Sequence, residues 1–158
     1  MTIRFAQPED ARGVLEAHYS AVHETAAKDY ARAILCQWSA PVTPDRISGY
    51  INHALPSETT LVAEIDGRIA GFGSIVESKN ELRAVYVAAD FSRRGVGSAL
   101  LKGLERLAKE RGCKELQMVS SLTAVPFYLS HGFEDRGHGI HALKSGGQMA
   151  CVSMRKTL

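Results

Sequence analysis

Several features that would place a chain in a special class are missing from this sequence. No apolar run approaches the length of a membrane-spanning helix, and the first residues lack a signal-peptide pattern. Only three cysteines occur, an odd number without metal-like spacing, which favours a reduced, cytoplasmic setting over a disulfide framework. Repeats and low-complexity tracts are also missing. We therefore expect a cytoplasmic protein with no membrane partner.

An excess of charge of one sign is also lacking. Lys and Arg number 19 and Asp and Glu 17, which gives a formal net charge of +2. That balance is too mild to predict nucleic-acid binding, and no aromatic platform or broad basic face accompanies Arg93, Arg94 and Lys102. The length of 158 residues, with 45% hydrophobic and 23% charged residues, is typical of one globular domain, here residues 1–158. We expect no nucleic-acid partner.

The most informative stretch is residues 81–101, whose pattern is that of a strand, a short loop and the start of a helix. β-formers fill residues 85–87, and apolar residues recur at helical spacing from Val96. The loop between them carries Arg93, Arg94, Gly95 and Gly97. Unpaired N–H groups of a helix start, approachable glycines and forked arginine donors together predict a pyrophosphate site. The alternative is a surface loop with two arginines and helix-starting glycines.

Two better-known phosphate loops fit this stretch poorly. The dinucleotide fingerprint requires a small residue where Leu100 stands, and it requires the strand to run directly into the glycines. A P-loop requires Gly-Lys-Ser or Gly-Lys-Thr, and no such run occurs in the chain. The stretch therefore predicts a pyrophosphate loop of another kind.

Three segments resemble the GNAT superfamily of N-acetyltransferases. Residues 92–97, Ser-Arg-Arg-Gly-Val-Gly, resemble the family's acyl-CoA pyrophosphate loop, Gln/Arg-x-x-Gly-x-Gly/Ala, with Ser92 in the first position. Residues 124–133 resemble its Ala-x-x-x-Tyr-x-x-x-Gly-Phe helix and strand, with Ser121 where an Asn often stands. Residues 152–156 resemble its last strand. The resemblance covers most of the chain after the N-terminal third.

The resemblance implies an α/β fold built on a mixed sheet. That GNAT-like sheet is expected to be mostly antiparallel and twisted, splayed between its fourth and fifth strands, with helices on both faces. The implied activity is transfer of an acetyl group from acetyl-CoA, without a metal, to a primary amine by direct attack in a ternary complex. A small-molecule amine is the expected acceptor, and a homodimer is an open option. The alternative function is a non-catalytic acyl-CoA-binding or regulatory module.

The resemblance also assigns residues to the cofactor. The pantetheine arm is expected in the gap of the sheet, paired with the main chain of Val85 and Val87, and the N–H of Val85 is expected to face the thioester carbonyl. The implied cofactor-binding residues are Val85, Tyr86, Val87, Arg93, Arg94, Gly95, Val96, Gly97, Ser98, Ser121 and Tyr128.

Two side chains are expected to carry proton transfers. Tyr128 matches the family tyrosine, whose phenol hydrogen-bonds to or protonates the departing thiolate; the alternative is a packed helix tyrosine. Glu81 corresponds to the catalytic glutamate of the histone-modifying branch, and strand alternation predicts that it shares a side with Val85 and Val87. A solvent-facing Glu81, with ordered water as the base, is the alternative. Other candidates for the base are Glu77, His18 and His23.

The N-terminal third and a late loop are expected to build the acceptor side. Predicted helices span residues 8–27, 30–38, 45–55, 96–111 and 123–130. Predicted strands span 3–6, 60–65, 68–77 after an Asp66-Gly67 turn, 81–87, 114–119, 133–136 and 148–155. Candidates to line the acceptor cleft, or simply to pack, are His18, Tyr19, His23, Tyr30 and Trp38. Residues 137–147 are predicted as a loop whose His138 and His141, with His131, complete no familiar set of metal ligands.

Overall fold

The strands of the chain form a single mixed sheet in the computed structural model, which describes residues 1–158. The strands are β1 (Thr2–Phe5), β2 (Thr59–Ile65), β3 (Arg68–Val76), β4 (Glu81–Val87), β5 (Glu115–Ser121), β6 (Glu134–Ala142) and β7 (Gln148–Thr157). Their spatial order is β1-β2-β3-β4-β5-β7-β6. Every neighbouring pair is antiparallel except β4 with β5, which is parallel. The predicted mixed, mostly antiparallel sheet is confirmed.

β4 and β5 pair at only one position and then separate. Glu81 pairs with Gln117, and the N–H of Gln117 donates to the carbonyl of Asn80 at 2.8 Å. Beyond that point β4 pairs only with β3 and β5 only with β7, so a gap opens in the middle of the sheet. The predicted splay between the fourth and fifth strands is confirmed.

Helices cover both faces of this sheet, as predicted. They are α1 (Ala11–Ser20), α2 (Arg32–Trp38), α3 (Pro44–Gly49), α4 (Leu55–Ser57), α5 (Val96–Glu110) and α6 (Val125–Ser130). On one face α5 buries Leu100, Leu101 and Leu104 at the predicted helical spacing, each contributing about 1.5–3 kcal/mol. On the other face Val14 of α1 packs against Val62 of β2. None of the helices combines the length and the apolar composition that crossing a membrane requires.

The helical segment before β2 runs past Pro56, contrary to the sequence prediction. A π-helical turn, Tyr50–Ala54, leads from α3 into α4, which ends at Ser57. Pro56 lies in the first turn of α4, where its missing N–H removes no intrahelical hydrogen bond. A proline in a helical run was therefore a poor guide to the helix end here.

A β-bulge interrupts β4 at Arg83. Its neighbours Leu82 and Ala84 pair with Ile75 and Ser74, which are adjacent on β3, so Arg83 has no partner there. An extra residue of this kind bends a strand and shifts the alternation of its side chains.

The bulge changes which side chains of β4 share a face. Leu82 packs with Val85 and Val87 into the core under α5, although strict alternation would have separated Leu82 from them. Glu81, the neighbour of Leu82, lies instead in the same cleft as Tyr86 on the other face. The prediction that Glu81 shares a side with Val85 and Val87 is therefore wrong.

β6 is a strand where most of a loop was predicted. It runs antiparallel to β7 over Glu134–Ala142, which leaves only residues 143–147 as the connection. Every residue of β6 is exposed, and β6 is the edge strand of the sheet. Backbone hydrogen bonds to β7 stabilise this strand, so its sequence needs no alternation of apolar and polar residues. A bulge at Arg136 and Gly137 also interrupts the alternation of side chains between the two faces.

Candidate active site

The N-terminus of α5 has the geometry of an anion site. Gly95 precedes the helix with a φ of 78°, and the first N–H groups, those of Val96, Gly97 and Ser98, have no intrahelical partner. A Cβ added at Gly97 would lie 3.3 Å from the ring of Phe127, so even a methyl group would crowd this approach. Glycine at position 97 therefore avoids a close contact with Phe127 at the helix start.

The side chains of the preceding loop divide into two groups. Arg93 and Arg94 are exposed, and the guanidinium of Arg94 lies 5.3 Å from the ring centre of Phe91. The hydroxyl of Ser92 donates to the carbonyl of Ala89 at 2.8 Å and so turns back into its own loop. The charged donors of this loop are therefore its two arginines, rather than the residue at the first position of the motif.

His131 contacts the same helix start, which sequence reasoning missed. Its Nε2 lies 2.9 Å from Oγ of Ser98, and its Nδ1 lies 2.8 Å from the carbonyl oxygen of Phe127. Because a carbonyl only accepts, the neutral ring carries its proton on Nδ1, and Nε2 accepts from Ser98. The available signal in the sequence is the position of His131, one helical turn after Phe127.

The edge of β4 that faces the gap carries main-chain donors. The N–H of Ala88 donates to the carbonyl of Ala70 on β3 at 2.9 Å. Because N–H directions alternate along a strand, those of Val85 and Val87 point away from β3, into the gap. Donors therefore lie where the resemblance expects the pantetheine arm and the thioester.

Tyr128 lies on α6, on the α5 side of the sheet. Its ring is buried, with ring centres 5.0 Å from Phe127 and 5.4 Å from Phe133. Burial first, and then the charge of nearby Tyr86, raises the pKa of Tyr128 well above its ordinary value. The phenol therefore keeps its proton throughout the neutral and mildly alkaline range.

A cleft of about 1080 Å³ lies on the opposite face of the sheet. Strands β4, β5 and β7 form its floor, and β6 and α2 contribute to its walls. Most lining residues of β5 and β7 alternate with Leu116 and Val152, which pack under α5, so the cleft opens on the face away from α5. It also reaches three residues of that core, at and beside the gap: Leu82, Met118 and Met154. Five residues considered in the sequence analysis line the cleft: Trp38, Glu81, Tyr86, Ser121 and His141.

Comparison with known proteins agrees with this geometry. The family model of the acetyltransferase (GNAT) domain matches residues 26–158. The chain is 31% identical over 132 residues to YafP of Escherichia coli, an uncharacterized N-acetyltransferase, with 84% of this chain and 80% of the relative covered. The chain belongs to the GNAT family of acetyltransferases. The predicted acetyl-CoA-dependent N-acetyltransferase is confirmed at this level.

Solved GNAT structures share the fold. A GCN5-related N-acetyltransferase from Rhodopseudomonas palustris superposes with a TM-score of 0.90 at 26% identity, over 99% of this chain and 95% of that one. The protein yncA of Salmonella typhimurium, solved with its cofactor acetyl-CoA, gives a TM-score of 0.71 at 24% identity, over 100% and 94% of the two chains. The second likeness concerns the fold alone.

In this GNAT protein Glu81 is tied to an arginine. Arg83 donates to both carboxylate oxygens of Glu81, at 3.3 Å from Nε and 3.1 Å from Nη2, and its Nη1 donates to Glu58 at 3.0 Å. These two carboxylates raise the pKa of Arg83 above its ordinary value. Glu81 thus lies in the cleft, as a candidate base should, but its oxygens already accept hydrogen bonds.

The other candidate bases lie outside the cleft. Glu77 accepts from Thr59 at 2.6 Å and from Arg111. Burial raises the pKa of Glu77, but these hydrogen bonds together lower it by more. The pKa of Glu77 therefore lies below its ordinary value. Burial lowers the pKa of His18 to about 4, helped by the neighbouring positive charges, and Nε2 of His23 lies 2.7 Å from a backbone carbonyl. None of the three lines the cleft.

The five ring residues proposed for the acceptor wall are only partly placed as expected. Trp38 lines the cleft, 6.2 Å from Tyr86 between ring centres. The other four do not line the cleft and pack against neighbouring rings, which is the alternative stated for them: His18, Tyr19, His23 and Tyr30. Tyr30 nevertheless shapes the wall, because its hydroxyl accepts from an N–H at the end of β5 at 2.7 Å and donates to a carbonyl of β7 at 2.6 Å.

The remaining histidines and the cysteines occupy separate places. His138 and His141 lie on β6, whereas His131 follows α6 and contacts Ser98 at the start of α5. No group of three His, Cys, Asp or Glu side chains is arranged to hold a metal ion. The three cysteines are unpaired, and Cys151 is buried at the cleft.

Proposed function

We propose that this GNAT protein transfers the acetyl group of acetyl-CoA to the primary amine of a small molecule, by direct attack in a ternary complex. The gap between β4 and β5 carries this proposal, because it joins the anion site on the α5 face to the cleft on the opposite face. A thioester and an amine entering from opposite faces would meet there without a covalent enzyme intermediate. The acetyl-CoA held by yncA supports the choice of donor.

The donor would be held by backbone and by two arginines. The N–H groups of Val96, Gly97 and Ser98 would bind the pyrophosphate, with the guanidiniums of Arg93 and Arg94 beside them. The pantetheine arm would pair with the gap edge of β4 as an added strand does. The remaining residues that we assign to the cofactor are Val85, Tyr86, Val87, Gly95, Ser121 and Tyr128.

The chemistry requires charge stabilisation at two atoms. Bound acetyl-CoA supplies a thioester whose C–S bond breaks as the new C–N bond forms. The N–H of Val85 would stabilise the oxyanion, a role typically worth about 3–4 kcal/mol. The Tyr128 phenol would hydrogen-bond to the departing sulfur or protonate it and then regain its proton from solvent.

The proton of the amine requires an acceptor in the cleft. Glu81 is the only carboxylate that lines it, so we propose Glu81 as the base, acting directly or through one ordered water. Arg83 donates one hydrogen bond to each oxygen, which leaves each oxygen a second lone pair that can accept the proton. If Glu81 does not accept it, the proton passes through water to solvent.

A second candidate function is a non-catalytic acyl-CoA-binding module. The position of Ser92, whose hydroxyl turns away from the helix start, favours it, as does serine at position 121. Tight binding of CoA with no CoA release on any amine would support this candidate over the enzyme.

We also propose that residues 1–158 act as one domain in the cytoplasm. A single sheet contains both β1, the first strand of the chain, and β7, the last, which supports one domain. Three unpaired cysteines support a reducing compartment.

Calorimetry with acetyl-CoA tests the donor site. The variant Gly97→Asp adds a side chain against Phe127 and a negative charge beside the proposed pyrophosphate, so we expect micromolar binding to be lost. Gly49→Asp is the matched control, because a Cβ at Gly49 meets nothing within 4 Å and α3 lies outside the donor site. Unchanged affinity in Gly97→Asp would refute the placing of the pyrophosphate. CoA release on an amine panel then separates the enzyme from the binding module.

A further inference from the structure

Positive charge is concentrated in the cleft that we assign to the acceptor. Four cationic side chains line it, and they come from the turn before β4, from β4, from β6 and from β7: Lys79, Arg83, Arg136 and Arg155. Glu81 is the only acid among the lining residues. An acceptor that is only an ammonium ion would meet repulsion here, which makes the distribution informative about the substrate.

These cations differ in how far they are already neutralised. Arg83 is satisfied by two carboxylates, as described above. Arg155 uses Nη2 alone, in a 3.1 Å pair with Glu115, and its side chain is 47% exposed. The nearest carboxylate to Arg136 is Glu134 at 3.6 Å, beyond hydrogen-bond range, and its side chain is 55% exposed. Arg136 and Arg155 therefore keep guanidinium donors for a ligand.

The sheet register places these donors at one end of the cleft. Arg155 pairs with Gln117 of β5, which itself pairs with Glu81 at the closed end of the gap. The open end lies four residues further along β5, at Ser121, where the proposed reaction takes place. At about 3.3 Å per residue, the two ends are about 13 Å apart along the backbone. Long arginine side chains shorten the distance that a ligand must span.

We propose that the acceptor is a primary amine that carries an anionic group, a carboxylate or a phosphate, several bonds away from its nitrogen. This inference rests on the proposed function. The anionic group binds the guanidiniums of Arg136 and Arg155, and the amine lies at the open end beside Tyr86 and Ser121. Forked guanidinium donors match both anions.

The same charges bear on reactivity and on rejection of other amines. A cationic surrounding disfavours the ammonium form, so it favours the neutral amine, which is the nucleophile. It also disfavours diamines, whose second ammonium would lie against Arg136 and Arg155 in place of an anion. The cleft therefore favours amines whose second group is anionic and disfavours amines whose second group is cationic.

The test compares amines of equal length on the whole enzyme with saturating acetyl-CoA. The probes are ε-aminocaproate, hexylamine and hexamethylenediamine, and kcat/KM is measured by CoA release. We expect ε-aminocaproate to exceed both others by roughly 10- to 100-fold, the effect of hydrogen bonds to charged groups. Comparing γ-aminobutyrate with aminopropylphosphonate then identifies the preferred anion.

Variants separate the proposal from a general effect of charge. Combining Arg136→Gln with Arg155→Gln should bring the ratio of ε-aminocaproate to hexylamine near one, with acetyl-CoA affinity and the melting temperature unchanged. Arg106→Gln is the control, since Arg106 lies on α5, outside the cleft, and should leave the ratio intact. Equal or better turnover of hexylamine or the diamine by the parent enzyme overturns this inference and leaves the proposed function standing. No CoA release on any amine overturns both.

Discussion

Replacing Tyr128 by Phe removes one hydroxyl from the proposed site and keeps the ring. The ring packs between Phe127 and Phe133, so we expect the fold and its melting temperature to be preserved. Burial raises the pKa of Tyr128 far above that of a thiol, which is about 8.5. Full proton transfer to the departing thiolate is therefore uphill, and the phenol acts chiefly as a hydrogen-bond donor to a developing anion.

That distinction sets the size of the effect. A hydrogen bond to a charged group contributes about 1.5–3 kcal/mol, so kcat of Tyr128→Phe should fall roughly 10- to 150-fold. The affinity for acetyl-CoA, measured by calorimetry, should stay within about twofold, because the hydrogen bond forms as charge develops on sulfur. Since Tyr128 keeps its proton, the parent enzyme should also lose no activity between neutral and mildly alkaline pH through this residue.

The matched control is Tyr50→Phe. Burial also raises the pKa of Tyr50, to about 12, but Tyr50 packs beside α1 and β2, outside the cleft. Removing its hydroxyl should leave kcat unchanged. An unchanged kcat in Tyr128→Phe would remove Tyr128 from the mechanism and leave it a packing residue, whereas an equal loss in both variants would point to a general effect of hydroxyl removal.

Three further changes test other parts of the structure. Glu81→Gln should abolish the acidic limb of the profile of kcat/KM against pH. Survival of that limb would mean that water, rather than Glu81, accepts the proton of the amine. His131→Phe should strengthen CoA binding in calorimetry about 3- to 10-fold, because the Ser98 hydroxyl, which otherwise donates to His131, becomes free to donate to a phosphate; weaker binding would contradict this hydrogen-bond direction. Hydrogen bonds from Arg4 lower the pKa of Asp10, so their contribution is present at neutral pH and is lost as pH falls below about 4. Asp10→Asn should therefore lower the free energy of unfolding by about 1–3 kcal/mol at pH 7 and much less at low pH, in denaturant titrations; an equal loss at both would contradict the ion pair.

The elements that the sequence predicted well are those governed by local rules. β4 has its predicted bounds, 81–87, and α5 differs from prediction only at its C-terminal residue. The predicted turn at Asp66-Gly67 forms with φ of 50° and 73°, because two successive positive φ values suit this dipeptide. The loop that leads into α5 was also predictable, because glycine next to unpaired N–H groups is a local arrangement.

The features that sequence reasoning missed depend on distant parts of the chain. The bulge at Arg83 is defined by pairing with β3, and no residue of β4 announces it. β6 owes its strand to hydrogen bonds with β7, so its exposed side chains carry no apolar period. The contact between His131 and Ser98 joins residues 33 apart in the chain and needs α6 to lie against α5.

The bulge at Arg83 links the two halves of the candidate site. By adding a residue to β4, it turns Glu81 to the acceptor side while Val85 and Val87 stay packed under α5. The proposed base and the oxyanion donor thereby lie on one strand, with the carboxylate of Glu81 in the acceptor cleft and the N–H of Val85 directed into the gap. If this arrangement is correct, deleting Arg83 should keep Glu81 in the cleft, because Leu82 and Ala84 stay opposite Ile75 and Ser74 on β3. Amine acetylation should then survive together with acetyl-CoA binding, whereas loss of acetylation alone would mean that Glu81 depends on Arg83 for its position.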